Sequence, residues 1–479
     1  MFALSDLNAI GRREFLRIGA LGIGGLSLPQ FSAAPALAGD SPSLTKNLLR
    51  GRSVIFVFQH GGPSQLDTFD PKPAAPDSIR SMFGVTGTSL PGVIFGEHFP
   101  KLARLAHKLA LVRSFVPGDA NHDAKPIVHK TDTLGANLGS LYARIAGTNH
   151  PASGLPTNVL LYNQSIDPAA KPKFAGHGDF EMTGSIAKHL APFVPGKEGD
   201  LQRNMRLNLD LQRLEDRRAL LAGLDRLNRR LDVSGELDSL GRFQDQAVNV
   251  LLRGVADAFD LAKEDPKTIE RYDTRPRFNE SLVLNKLAHG DNQTQWYKLM
   301  QFTLDHGRTL GKQLLLARRL CEAGCGFVTV NSNFVWDMHG AARAPSVEEA
   351  MPLVGPVFDH AVSTLIEDLE ARGLSDKVLV VCCGEMGRAP RISNGGGRDH
   401  WADLGPLMFY GGGLKTGQVV GHASPDGAEP IDNPVSIPNL VATIAHTLFD
   451  VGALRLVQGN FSDVARIFTE VEPIRQLLS

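Results

Sequence analysis

The chain has 479 residues, with 50 basic and 51 acidic side chains and a net charge of −1. Nothing in that balance points to nucleic acid or an anionic membrane as a partner, and the length is enough for one large domain or two smaller ones. Its four cysteines, Cys321, Cys325, Cys382 and Cys383, fall in apolar segments, supply neither a disulfide framework nor a C-x-x-C zinc site, and read as buried free thiols.

The first element in chain order is a targeting segment. Arg12 and Arg13 precede Phe15-Leu16 and a glycine-containing apolar run from Ile18 to about Phe31. That run is shorter than the roughly 20 residues a membrane helix needs. Small residues then lead to an A-x-A pattern ending at Ala38, so residues 1–38 read as a twin-arginine signal and 39–50 as a linker. The expectation is a mature protein that passes the twin-arginine machinery already folded. It would have no membrane span and would work in the periplasm or outside the cell.

Residues 53–59 form a continuous β-branched and aromatic run, the pattern of a strand buried on both faces of a parallel sheet. A helix follows over 102–108 and a strand over 109–115. Residues 117–180 are rich in Gly, Pro, Asn and His and read as loop. Leucines at helical spacing from Leu207 to Leu231 begin a helical middle at about 200–310, continued by helices over 243–261 and 294–320. The α/β pattern then returns, with strands over 326–330, 377–383 and 407–410 and helices over 357–372 and 437–449. This alternation predicts an α/β fold with a mainly parallel central sheet flanked by helices, interrupted by the helical middle.

Ligands of open parallel sheets bind beyond the carboxyl ends of the strands, so the residues following each strand are the candidates for chemistry. The first strand runs into His60-Gly61-Gly62. Asp337 and His339 follow the strand ending at Val330, spaced two apart so that an extended backbone sets both on one side. Glu385 lies in a glycine-flanked turn after Cys383, and His400 follows three glycines. Such mixed His and carboxylate donors suit a divalent ion without choosing among zinc, manganese, iron and calcium. Arg388 and Arg398 are candidates for gripping an anionic oxygen. His122 and Asp123 are candidates for ligation or for proton handling.

Several motifs together resemble one bacterial family, the domain of unknown function 1501. They are GGPSQLDTFDPKP at 61–73, ARRLCEAGCGFVTV at 317–330, WDMHG at 336–340, GEMGRAP at 384–390, GRDHW at 397–401, GGGLKTGQVVG at 411–421 and PDGAEPIDNPVSIPNL at 425–440. The resemblance covers essentially the whole mature chain. It implies an alkaline phosphatase-like fold, whose members commonly use two divalent metals on phosphate or sulfate esters. It further implies that Asp337, His339 and His400 hold one metal and that Glu385 lies where a second would be. His60 stands near the place of a first-strand aspartate, and Asp67 is within reach of the same site. The sequence departs from that pattern at the nucleophile: no Ser, Thr or Cys stands at the expected helix start, and no C-x-P-x-R sulfatase signature occurs. The expectation is an exported metal-dependent hydrolase of a small-molecule or glycan ester, using metal-assisted attack of water. The alternative is a metal-binding or cell-envelope scaffold of the same fold without catalysis.

Overall fold

The computed structural model describes residues 48–128, 134–174, 176–196, 255–340, 344–457, 459 and 461–478. The segment read as a targeting signal, the helix expected over 207–231 and most of the expected linker lie outside the described residues. The strands are β1 (Ser53–Phe58), β2 (Val85–Gly87), β3 (Ile94–Gly96), β4 (Leu109–Val116), β5 (Asn158–Leu161) and β6 (Phe327–Asn331). They continue as β7 (Val378–Cys383), β8 (Gly387–Arg388), β9 (His400–Trp401), β10 (Gly405–Gly411), β11 (Gln418–Val420) and β12 (Val435–Ser436). Eight of them form one sheet in the order β11-β4-β10-β7-β1-β6-β5, with β12 also paired to β4. Every pairing in it is parallel except those of β10, which runs against both β7 and β4. The fold is therefore α/β with a mainly parallel sheet.

Described helices of eight residues or more are α1 (Leu138–Ala146), α2 (Glu280–His289), α3 (Gln295–Glu322), α4 (Val347–Ala371), α5 (Ile437–Leu448) and α6 (Ser462–Thr469). Alternation along β1 sends Ile55 and Val57 to one face and Phe56 and Phe58 to the other. The first pair shares a core with Leu310, Leu314 and Leu365 of α3 and α4. The second pair shares one with Leu141 of α1 and Leu440 and Ile444 of α5. Truncating a fully buried Leu such as Leu314 to alanine would cost about 2–5 kcal/mol. Val255, Phe259, Leu299 and Met300, from the later part of the helical middle, join the α3–α4 side of the core rather than a core of their own. All four cysteines are buried and free. No helix among the described residues is long and apolar enough to cross a membrane.

Three elements differ from the sequence reading for identifiable reasons. Helix α4 starts ten residues earlier than the expected 357, because Ser346 and Glu349 form a reciprocal capping box and Pro352 and Pro356 are absorbed inside it. Prolines normally argue against a helix interior, which hid the first turns. The stretch read as loop contains α1, capped by the Asn137 side chain, and the four-residue β5, both too short to stand out among glycines.

Register decides where the loops emerge. Phe58 lies opposite both Asn331 and Cys383, so β1, β6 and β7 end in one row. Leu407 pairs with Cys383 and Gly405 with Phe115, so the start of β10 and the end of β4 reach the same edge. His60, His122, Asp337, Glu385 and His400 thus all sit in segments that leave the sheet at one end.

Candidate functional site

Four side chains meet at that end. One donor atom each from His122, Asp337, His339 and His400 can be chosen so that all lie within 4.8 Å of one another. Asp337 Oδ1 is 3.0 Å from His339 Nε2, 3.6 Å from His122 Nε2 and 3.9 Å from His400 Nε2. His339 Nε2 and His400 Nε2 face each other at 2.8 Å. Four donors on a tetrahedral ion at about 2.0–2.1 Å stand about 3.4 Å apart, a spacing these distances bracket. The donor chemistry, three imidazoles and one carboxylate, suits a divalent cation. Asp337 is only 2% exposed, while His339 and His400 are 25% and 28% exposed, so the centre is buried at the back and open at the front.

Backbone contacts bring the loops together. Gly340 bridges Gly396, and the Arg398 N–H donates to the Met338 carbonyl, which sets the His339 and His400 loops side by side. A Cβ on Gly397 would stand 1.8 Å from the His339 carbonyl oxygen, so the close approach requires glycine there. On the β1 side Gly61 adopts φ 111°, and a Cβ would lie 2.3 Å from the Asp337 nitrogen.

Charged partners brace the donors from behind. Arg388 donates to Asp337 Oδ1 at 2.7 Å, to the Gly62 carbonyl at 2.8 Å, to the Arg398 carbonyl at 3.1 Å and to the Gly61 carbonyl. Glu385, fully buried, accepts from the Gly61 N–H at 2.9 Å and lies 2.7 Å from His122 Nδ1. That contact holds the Nδ1 proton of His122 and turns Nε2 toward the other donors. Burial opposes charge on Asp337, but Arg388 and the three imidazoles outweigh it and keep its carboxyl well below the usual range. Burial likewise opposes charge on His122, and the Asp337 and Glu385 carboxylates outweigh it, raising the ring above the ordinary histidine value. The pair of carboxylates therefore favours positive charge at this ring, the same demand a metal cation would meet.

Residues 51–466 match the family model described as "Protein of unknown function (DUF1501)". The chain belongs to this family. No curated protein matches it. Two solved structures are distantly similar to this DUF1501 chain. One is the PsFucS1 sulfatase from Pseudoalteromonas sp., at 12% identity and TM-score 0.32, covering 79% of this chain and 66% of that one, just under two thirds. The other is Ps i-CgsB, at 10% identity and TM-score 0.35, covering 88% and 77%.

Several residues stand in places that differ from the sequence reading. Arg388 and Arg398 point inward and have no nitrogen left over for a substrate oxygen. Arg398 donates to Asp67 at 2.7 Å, to the Ile79 and Arg80 carbonyls at 2.9 and 2.8 Å, and to the Pro390 carbonyl. Asp67 is accordingly tied to Arg398, Ser64 and the Met82 N–H, away from the donor group. Glu385 lies behind His122 rather than among the four donors. Of the two roles left open for His122, ligation or proton handling, its place among the donors fits ligation, and Asp123, half-buried next to it, is outside the group. His60 packs edge-on against Phe180 at 5.0 Å and Phe334 at 4.7 Å, and burial pushes its pKa down to about 4. Its Nε2 has no hydrogen-bond partner among the described residues.

The structure also adds residues that the sequence reading left out. His177 lies 5.1 Å from His122, and Phe334 lies 4.6 Å from it, ring centre to ring centre. A histidine between Gly176 and Gly178 in a loop was the available signal for the first. Phe334, with Asn333, adopts a left-handed backbone, φ 72° and 52°, a strained conformation that local sequence does not announce.

Proposed function

We propose that this DUF1501 protein is an exported, metal-dependent hydrolase of phosphate or sulfate esters on an alkaline phosphatase-like sheet, acting on a small-molecule or glycan ester. One observation carries the reading: four donor atoms from three separate loops converge, with two of the rings open to solvent. A divalent ion held there supplies Lewis-acid chemistry, polarising an ester oxygen and lowering the pKa of water toward about 7.

The chain's own residues set up that chemistry. With neutral imidazoles, Asp337 and Glu385 against Arg388 leave one net negative charge, which a divalent ion turns into one net positive charge. An anionic ester needs that change of sign, because Arg388 and Arg398 are already committed to protein acceptors. Glu385 fixes the tautomer of His122, and Arg388 fixes the carboxylate of Asp337, so neither donor has to reorganise. Because the Asp337 and Glu385 carboxylates raise His122 above the ordinary histidine value, protons would compete with an ion for this ring, and ion affinity would fall as the pH is lowered. The paired arginines and the small-residue site ending at Ala38 support the export part of the reading.

The test is turnover of 4-nitrophenyl phosphate and 4-nitrophenyl sulfate. The protein is stripped with a chelator and reloaded with zinc, manganese, iron or calcium. Ion-dependent release of nitrophenol from either ester is the expected result. A firmly bound ion with no turnover would favour the non-catalytic scaffold instead.

A further inference from the structure

We propose that the rings of Phe174 and His177, backed by Phe334, form a wall that stacks a flat ring in the organic part of the ester, aromatic or the C–H face of a pyranose. This deepens, and rests on, the reading of the four-donor site. The three rings are nearly parallel: Phe174 and Phe334 lie 4° apart at 4.5 Å, His177 and Phe334 12° apart at 5.0 Å, and Phe174 and His177 9° apart at 5.3 Å. Phe334 is fully buried, whereas Phe174 and His177 are half-exposed, so these two present the wall and Phe334 supports it.

The wall is built to stay in place. The Phe174 N–H donates to Asn333 Oδ1 at 2.8 Å, tying it to the residue before Phe334. The Lys171 N–H donates to Asp305 on α3 at 2.7 Å, and Phe180 at the far end of the loop seats against Phe58 at 4.9 Å. Phe334 meets His122 edge-on at 4.6 Å and His177 lies 5.1 Å from the same ring. An ester whose anionic end reaches the donors would therefore have its organic group beside these faces. Stacking prefers an offset parallel partner at this spacing.

The experiment measures equilibrium binding to the ion-loaded protein of phenylphosphonate, methylphosphonate and a pyranosyl C-phosphonate, with ion content determined on each sample. These share an anionic head and are not hydrolysed. The proposal expects the better ring ligand to bind about five- to tenfold tighter than methylphosphonate. That preference should fall toward unity in His177→Ala or Phe174→Ala and survive in His177→Phe, which keeps a flat ring. Whether the phenyl or the pyranosyl compound binds better identifies the kind of ring. Equal, ion-dependent binding of all three, or a preference that persists in both alanine variants, would overturn the wall and leave the donor site standing. No ion-dependent binding of any of them would overturn both.

Discussion

Between α3, α4 and the segment ahead of α2, Arg318 is 1% exposed and meets Glu264 at 2.7 Å, Glu322 at 2.5 Å and Asp368 at 2.9 Å. Arg319 and Arg372 add further contacts to the same acids. Each charge there faces an opposite one. At the sheet edge the pattern is the reverse. Asp337 and Glu385 are answered by a single arginine, and imidazole nitrogens face one another and a carboxylate oxygen. The first region is complete as protein and holds helices together. The second is arranged around a charge that protein side chains do not supply.

The strongest way to break that comparison is Arg318→Met. It takes the central cation from Glu264 and Asp368, which keep Arg319 and Arg372, and should lower stability by about 3 kcal/mol, the lower end for a broken buried pair, in chemical denaturation, with ion content unchanged. Loss of the ion in that variant would mean the two regions are not independent. Glu385→Gln is the matching change at the site. It weakens the hold on His122 and should reduce ion affinity by about 10- to 100-fold in a competition titration with a chelator.

A third prediction concerns pH and sits in neither region. His306 on α3 is fully buried, neither ring nitrogen has a partner among the described residues, and burial lowers its pKa to about 3. Below about 6.5 the unfolded chain binds a proton that the folded chain refuses, so this histidine makes stability fall with acid until about pH 3. Its share between pH 6.5 and 5 is about 2 kcal/mol. His306→Leu should flatten that slope in denaturation curves taken across the range, and an unchanged slope would count against the assignment. The smallest effect is expected at Asp399, which is 76% exposed and 3.6 Å from His339 Nδ1. Asp399→Asn should alter ion affinity by less than about twofold, because an exposed pair contributes little.

The sheet was legible because a buried parallel strand writes its whole signal locally, as in residues 53–58. The common edge followed from topology, and with it Asp337, His339 and His400. The roles of the remaining residues were not legible, since they depend on where a side chain turns after the strand ends. Arg388 reads as a candidate for gripping an anionic oxygen, yet it folds back onto carbonyls more than three hundred positions earlier in the chain. His122 lies in the loop that follows the strand ending at Phe115, where the sequence leaves its role open, and only its contact with Glu385 reveals which nitrogen faces the donors. Of the three glycines ahead of His400, Gly397 is there for the neighbouring backbone, a need that lies in a loop distant in sequence.

The central claim is that His122, Asp337, His339 and His400 hold a divalent ion, and the most direct measurement is elemental analysis of the protein. It would be purified without added metal, beside His339→Ala and His400→Ala. At least one tightly bound divalent ion per chain in the parent, lost from both variants while they remain folded, is the predicted result. A folded parent without metal, or variants that keep the parent's metal content, would contradict it.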